Sequence, residues 1–144
     1  MLHYYWSFAR GLTLGVRGLV LRDDRKVFLV KHTYVPGWQF PGGGVEVGET
    51  AAEALARELL EEGNIEVLSP PVLHGIYLNS RVSLRDHVVF FVVRSFRQTR
   101  PPVPNLEIAA HGFFSVDALP DDVSLATRAR IGEVVFGAAP SDRW

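Results

Sequence analysis

Apolar positions along the chain gather into dense runs separated by turn-forming residues. Residues 12–21 are rich in Val, Leu and Thr and predict a strand. Asp23 and Asp24 mark a turn, and a second strand is predicted over 26–32, so the two read as a hairpin. Residues 34–44 break the pattern with Pro36, Gly37, Pro41 and three consecutive glycines, Gly42, Gly43 and Gly44, which predicts a loop with unusual backbone demands. The period then changes. Over 50–63, Ala51, Ala52, Ala54, Leu55, Ala56, Leu59 and Leu60 are good helix formers behind a Thr50–Glu53 capping box. Gly63 and Asn64 end that helix, since both tolerate the left-handed conformation.

Pro70 and Pro71 precede a further strand over 72–78, and 80–86 is a polar turn. Residues 87–96 are β-branched and aromatic, a strand buried on both faces at its centre. Pro101, Pro102 and Pro104 make 98–105 an extended loop, and 112–116 reads as a short strand. The last predicted element is a helix over 125–136, with Leu125, Ile131, Val134 and Val135 as core contacts. No repeat, linker or second domain interrupts 1–144, so the prediction is a single domain of α/β class with a mixed sheet and two helices. The aromatic stretch Tyr4, Tyr5, Trp6 and Phe8 reads either as cover for a sheet edge or as a contact in a homodimer.

Composition narrows the function classes. A chain of 144 residues can bury about two-thirds of its unfolded surface, so it needs no covalent staple. Cysteine is absent, which excludes disulfides, thiolate metal sites and a cysteine nucleophile. A net charge of −1 offers no general attraction to nucleic acid or anionic membranes. No apolar run suits a membrane span, and the first residues lack the charge and cleavage pattern of a secretion signal. A cytoplasmic protein is therefore expected, with no membrane partner and no long nucleic acid. Near-neutrality hides a local imbalance: seven of the nine glutamates lie between 46 and 66.

The central helix puts Glu58, Glu61 and Glu62 on one face, within an arc of about 100°. Like charges at these spacings repel by a few tenths of a kcal/mol per pair, roughly, and only Arg57 offers local compensation. A divalent cation would supply the missing charge, and all-oxygen ligation suits Mg²⁺ or Mn²⁺. The competing reading is a solvated acidic face, the commoner fate of acidic pairs. The bare backbone at Gly42 and Gly43 can approach phosphate or metal closely, or it can simply be a tight turn.

Together these residues match one pattern. The stretch from Gly43 to Ile65 reads glycine, five residues, Glu49, seven residues, then Arg57-Glu58-Leu59-Leu60-Glu61-Glu62-Gly63-Asn64-Ile65. It closely resembles the signature of the Nudix hydrolases, and departs from it at Asn64, where the family usually has glycine. Asparagine is the next-best residue for a left-handed cap. The resemblance implies an α/β/α sandwich with a mixed sheet between helices. It implies a catalytic set of Glu58, Glu61, Glu62, Arg57 and Glu49, in which Arg57 is held by Glu49 and supports the carboxylate face. Metal ligation is implied for Glu58, Glu61, Glu62 and a backbone carbonyl near Gly43, with Glu58 also as general base or its orienter. The implied reaction is attack of activated water on a diphosphate linkage in a small nucleotide-type substrate.

Further candidates lie outside the motif. Glu107, the only glutamate between 67 and 132, is a second candidate ligand or base. Gly42, Gly43, Tyr34 and Trp38 are candidates for substrate binding, with Phe40 beside them. Arg10, Arg17 and Lys31 are phosphate candidates, although strand-borne basic residues usually face water. His32, His74, His87 and His111 show no metal spacing and read as structural or exposed. Two alternatives compete with hydrolysis. A prenyl-diphosphate isomerase would need the cysteine this chain lacks. A catalytically silent nucleotide-binding module would show eroded metal glutamates, and all three are intact.

Overall fold

The computed structural model describes residues 1–103 and 105–144; Pro104, part of the predicted proline-rich loop, lies outside the described residues. The elements run α1 (Leu2–Ala9), β1 (Thr13–Arg22), β2 (Lys26–His32), β3 (Trp38–Gln39), β4 (Gly42–Gly44), α2 (Ala51–Gly63), β5 (Glu66–Val67), β6 (Val72–Leu78), β7 (Asp86–Val93), β8 (Phe96–Arg97), β9 (Ile108–Ser115) and α3 (Leu125–Val135).

β1 is the hub of a mixed sheet. It runs parallel to β7 from Thr13↔Asp86 to Val20↔Val93, and β6 closes that side antiparallel to β7. On its other edge β1 changes partner. Gly15, Val16 and Arg17 pair with β4, while Leu21 and Arg22 pair with β2, which continues to β3 and β9. A parallel pair covered on both faces explains why the β1 and β7 sequences are almost continuously apolar.

Alternation along these strands divides the core in two. Val16, Val20, Val89, Phe91 and Val93 face α2, where Leu55 and Leu59 are fully buried. Each of those leucines contributes about 1.5–3 kcal/mol of burial. Leu19, Phe90, Val92 and Tyr77 face the opposite way, toward Val123 and Ile131 at α3. α2 sits so close to β1 that a Cβ on Gly18 would lie 2.8 Å from a Leu55 methyl. The result is a helix layer on each face of a mixed sheet.

Several predicted boundaries moved. There are three helices among the described residues, because the aromatic stretch forms α1. α1 buries no residue, so it does not serve as cover for a sheet edge. Trp38–Gln39 and Gly42–Gly44 are short strands rather than loop, since pairing with β2 and β1 supplies what glycine-rich propensity does not. The run over 87–96 stops at Val93 and resumes as β8, which pairs with β5. β9 begins at Ile108 instead of 112. No helix among the described residues is long and apolar enough to cross a membrane.

Candidate active site

α2 begins at a complete capping box. The Thr50 hydroxyl accepts the Glu53 N–H and the Glu53 carboxylate accepts the Thr50 N–H. Asn64 ends the helix in the left-handed region at φ 51°. Between these caps, Leu55 and Leu59 fix the rotation of the helix by burying against β1, and the glutamate face turns to the side.

Arg57 organises that face. Its Nε and Nη2 donate to the two Glu49 oxygens at 2.8 and 2.9 Å, its Nη1 to Glu58 at 2.9 Å, and its Nη2 to the Gly44 carbonyl at 3.2 Å. Glu61 lies 3.6 Å away. The Arg57 hydrogen bond, helped by the Glu46 backbone, holds Glu49 down at a pKa of about 2. Glu58 moves the other way. Burial raises its pKa, the neighbouring Glu62 and Glu61 add to the rise, and Arg57 only partly offsets it.

The glycine strand lies directly beneath these carboxylates. Gly42 has φ 154°, and a Cβ there would collide with the Val16 carbonyl and the Arg17 backbone. A Cβ on Gly43 would overlap the Glu58 carboxylate. Glycine at both positions is what lets β4 pass between β1 and α2. The Gly42 N–H donates to Glu62 at 2.9 Å, and His32 Nε2 lies 3.3 Å from the other Glu62 oxygen.

The three glutamates are thus held unequally. Glu62 is buried, Glu58 is half-buried and Glu61 projects into solvent. Among the described residues no three His, Asp or Glu side chains converge into one metal-ligating group, because Glu58 faces Arg57 and Glu62 faces Gly42 and His32. The residues fit a hard divalent cation in kind. Every donor is oxygen, and Gly43 leaves the space beside Glu58 free of any side chain.

A cleft of about 250 Å³ opens where β1 exchanges β4 for β2. Gly42, Gly43, Glu58 and Glu62 form one wall, and Tyr34 and Glu107 come to it from their loops. Trp38 is not among the lining residues; it packs edge-on to Phe114 at 4.7 Å beside the Lys31 ammonium. Phe40 is in the core. Lys31 pairs with Asp122 at 2.6 Å and Arg10 lies over Trp6, so of the three basic candidates only Arg17 reaches the cleft. Arg17 sits deep, with Nη1 donating to the Phe40 carbonyl at 2.9 Å. Burial lowers its pKa while Glu62 and Glu58 pull it back up. His32 and Gln39 also line the cleft, and sequence reasoning missed both. A sequence signal existed for Arg17, a lone arginine inside an apolar strand. None existed for His32, whose role depends on where β2 ends.

Comparison with known proteins bears on the family and the fold. The family model described as NUDIX domain matches residues 11–134. A Bacillus subtilis (strain 168) protein, provisionally named an 8-oxo-dGTP diphosphatase, is 39% identical over 79 residues, which cover 54% of this chain and 52% of that one. An RNA pyrophosphohydrolase of Legionella pneumophila (strain Corby) is 40% identical over 63 residues, 40% of this chain and 36% of its own. The chain thus spans about half or less of the length of these curated relatives. The crystal structure of a MutT NUDIX hydrolase from Burkholderia pseudomallei superposes with a TM-score of 0.72 at 25% identity, covering 85% of this chain and 98% of that one.

Proposed function

The chain belongs to the NUDIX domain family, and from that premise we propose that it hydrolyses a diphosphate linkage in a small nucleoside diphosphate derivative, using Mg²⁺ or Mn²⁺. The observation that carries the proposal is the Glu49–Arg57–Glu58 chain of contacts at 2.8–2.9 Å, which sets the carboxylate face of α2 against the side-chain-free Gly42–Gly43 backbone. The names of the relatives, diphosphatase and pyrophosphohydrolase, support the same class of bond.

Glu58, Glu61 and Glu62, with the Gly43 carbonyl, are the residues that would hold the cation, and Glu107 is the further donor from the far wall. When bound, a divalent cation there neutralises charge on the phosphoryl oxygens and makes water a better nucleophile. The chain does the rest by positioning. Arg17, deep in the cleft, faces the substrate with a fixed positive charge. Glu58, with its raised proton affinity, accepts the proton of the attacking water. A P–O bond forms to water oxygen and the bond to the bridging oxygen breaks, which leaves two phosphate-ended products. Glu49 and Arg57 act through Glu58 and are positioning residues.

A Mg²⁺-dependent hydrolysis screen over nucleotide sugars, ADP-ribose, dinucleoside polyphosphates and oxidised nucleoside triphosphates tests this reading, with Glu61→Gln as control. Turnover that disappears with chelator and in Glu61→Gln is expected. No turnover of any substrate, or full activity in the variant, overturns it.

A further inference from the structure

A second cleft, of about 340 Å³, shares Arg17, Val35 and Gln39 with the carboxylate cleft, so the two form one groove. Its far half is lined by Asn79, Arg81 and Trp144, with no acidic residue among the described lining. The groove therefore has Glu58, Glu62 and Glu107 at one end, and at the other an indole, a guanidinium and no acidic side chain. The far half lies at the small end of ligand pockets, which run to about 300–1,000 Å³. That is room for one ring system.

Trp144 reaches this place by an unusual route. Residues 138–144 return along the edge of β6, where the Leu78 N–H donates to the Asp142 carbonyl at 2.9 Å and the Trp144 N–H to the Leu78 carbonyl at 3.0 Å. The segment is fastened from α3. Glu133 accepts the Ser141 N–H at 3.3 Å, and Arg130 donates to the Arg143 carbonyl at 2.9 Å. Both anchors are themselves buried. Glu133 also accepts the Tyr77 hydroxyl at 2.7 Å and lies 3.1 Å from His74 Nε2, and Arg130 lies 2.9 Å from Glu133. The Trp144 ring then packs against Tyr77, Phe90 and Phe40 at centroid distances of 5.5, 5.6 and 6.3 Å. A buried cluster of Glu133, Arg130, Tyr77 and His74 thus holds a half-buried indole at the wall of the groove. Packing alone would not require that edge to line a cleft with two side-chain amides, Gln39 and Asn79.

We propose that Trp144 is a specificity-determining residue, held by Glu133 and Arg130 as the aromatic wall that receives the heteroaromatic base of a nucleotide whose diphosphate lies on the carboxylate half. The assignment rests on the diphosphate reading above. The indole supplies a flat apolar surface, which is sequence-tolerant because every base has a π-face. Gln39 and Asn79 supply donors and acceptors for the base edge.

The test uses Trp6→Phe/Trp38→Phe protein, in which Trp144 is the sole tryptophan. With Mg²⁺ present, ADP is expected to quench its emission saturably and inorganic pyrophosphate to leave it unchanged. Trp144→Leu in the wild-type chain is expected to weaken ADP about tenfold and leave pyrophosphate affinity within about twofold. Trp144→Phe should restore most of the loss, and Glu133→Gln should shift the sole-tryptophan emission to the red while weakening ADP alone. Emission that ignores bound ADP, or a Leu variant that weakens pyrophosphate as much as ADP, overturns the assignment. Quenching by ADP without turnover of any substrate leaves the assignment standing and sinks the hydrolase reading. Turnover of nucleotides with unmoved emission does the reverse.

Discussion

Glu58 on α2 and Glu133 on α3 both have little exposure, and each has an arginine nitrogen at 2.9 Å, yet their proton affinities move in opposite directions. For both, burial is the largest influence and pushes the pKa up. At Glu133 it is outweighed by the Tyr77, His74 and Ser141 hydrogen bonds and by Arg130, and the pKa falls below its ordinary value. At Glu58 the arginine is shared with Glu49, and two further carboxylates face the group, so the rise survives. Burial of a carboxylate therefore decides little by itself. The partner count separates a charge that fastens the fold from one whose charge is left incompletely matched.

The largest effect expected from this contrast is on turnover. Glu58→Gln should lower kcat by about 10²–10⁴-fold while the thermal midpoint holds or rises, because the variant removes a repelling charge. Near-wild-type kcat would break the comparison. Glu133→Ala should do the opposite, costing about 3–5 kcal/mol in urea unfolding, since it strands Arg130 and Tyr77 in the interior.

The same carboxylate sets an acid limit. Its folded pKa is depressed below the ordinary 4.5, so its stabilisation is present above that value and is lost as pH falls through the folded pKa. The urea midpoint of wild type should drop below pH 4.5 more steeply than that of Glu133→Gln; parallel curves would remove Glu133 from the acid response. A smaller effect is expected from Glu49→Gln, which loosens Arg57 and should reduce kcat by about 10–100-fold with KM nearly unchanged. The smallest concerns the helix end. Asn64→Gly relieves a left-handed asparagine but loses its hydrogen bond to the Arg100 carbonyl at 3.1 Å, and these should cancel to within about 1 kcal/mol.

Much of the carboxylate side was legible in the sequence because its parts are local. The capping box, the spacing of Glu58, Glu61 and Glu62, and the stop at Asn64 all lie within one helix, where periodicity dictates who shares a face. β2 and β6 were equally legible, since alternation and flanking turn residues mark them. The α3 cluster was not. His74, Tyr77, Arg130 and Glu133 come from two elements more than fifty positions apart, and each looks ordinary among its sequence neighbours. The short strands at Trp38 and Gly42 escaped for a related reason: glycine-rich pieces become strands only when a neighbour supplies the ladder. α1 was missed because its residues are apolar or aromatic on nearly every side, which blurs the contrast between faces that marks a helix, and in the fold it buries none.

By itself, then, the sequence determined the motif from Gly43 to Ile65, the helix that carries it, the absence of any cysteine chemistry and the membership of a fold with helices on both faces of a sheet. The helix and the lack of cysteine chemistry follow from short-range spacing and composition, which do not depend on the path of the rest of the chain, and the fold is what the motif's resemblance to the Nudix signature implied. Only the tertiary structure decided that Arg17 and His32 join Glu107 at the cleft while Trp38 stays with Phe114, and that Trp144 stands at the groove's other end. Those placements depend on β1 changing partner halfway along and on a buried ion pair catching a distant segment. Both are long-range events whose energy comes from pairing and desolvation, and no local pattern announces them.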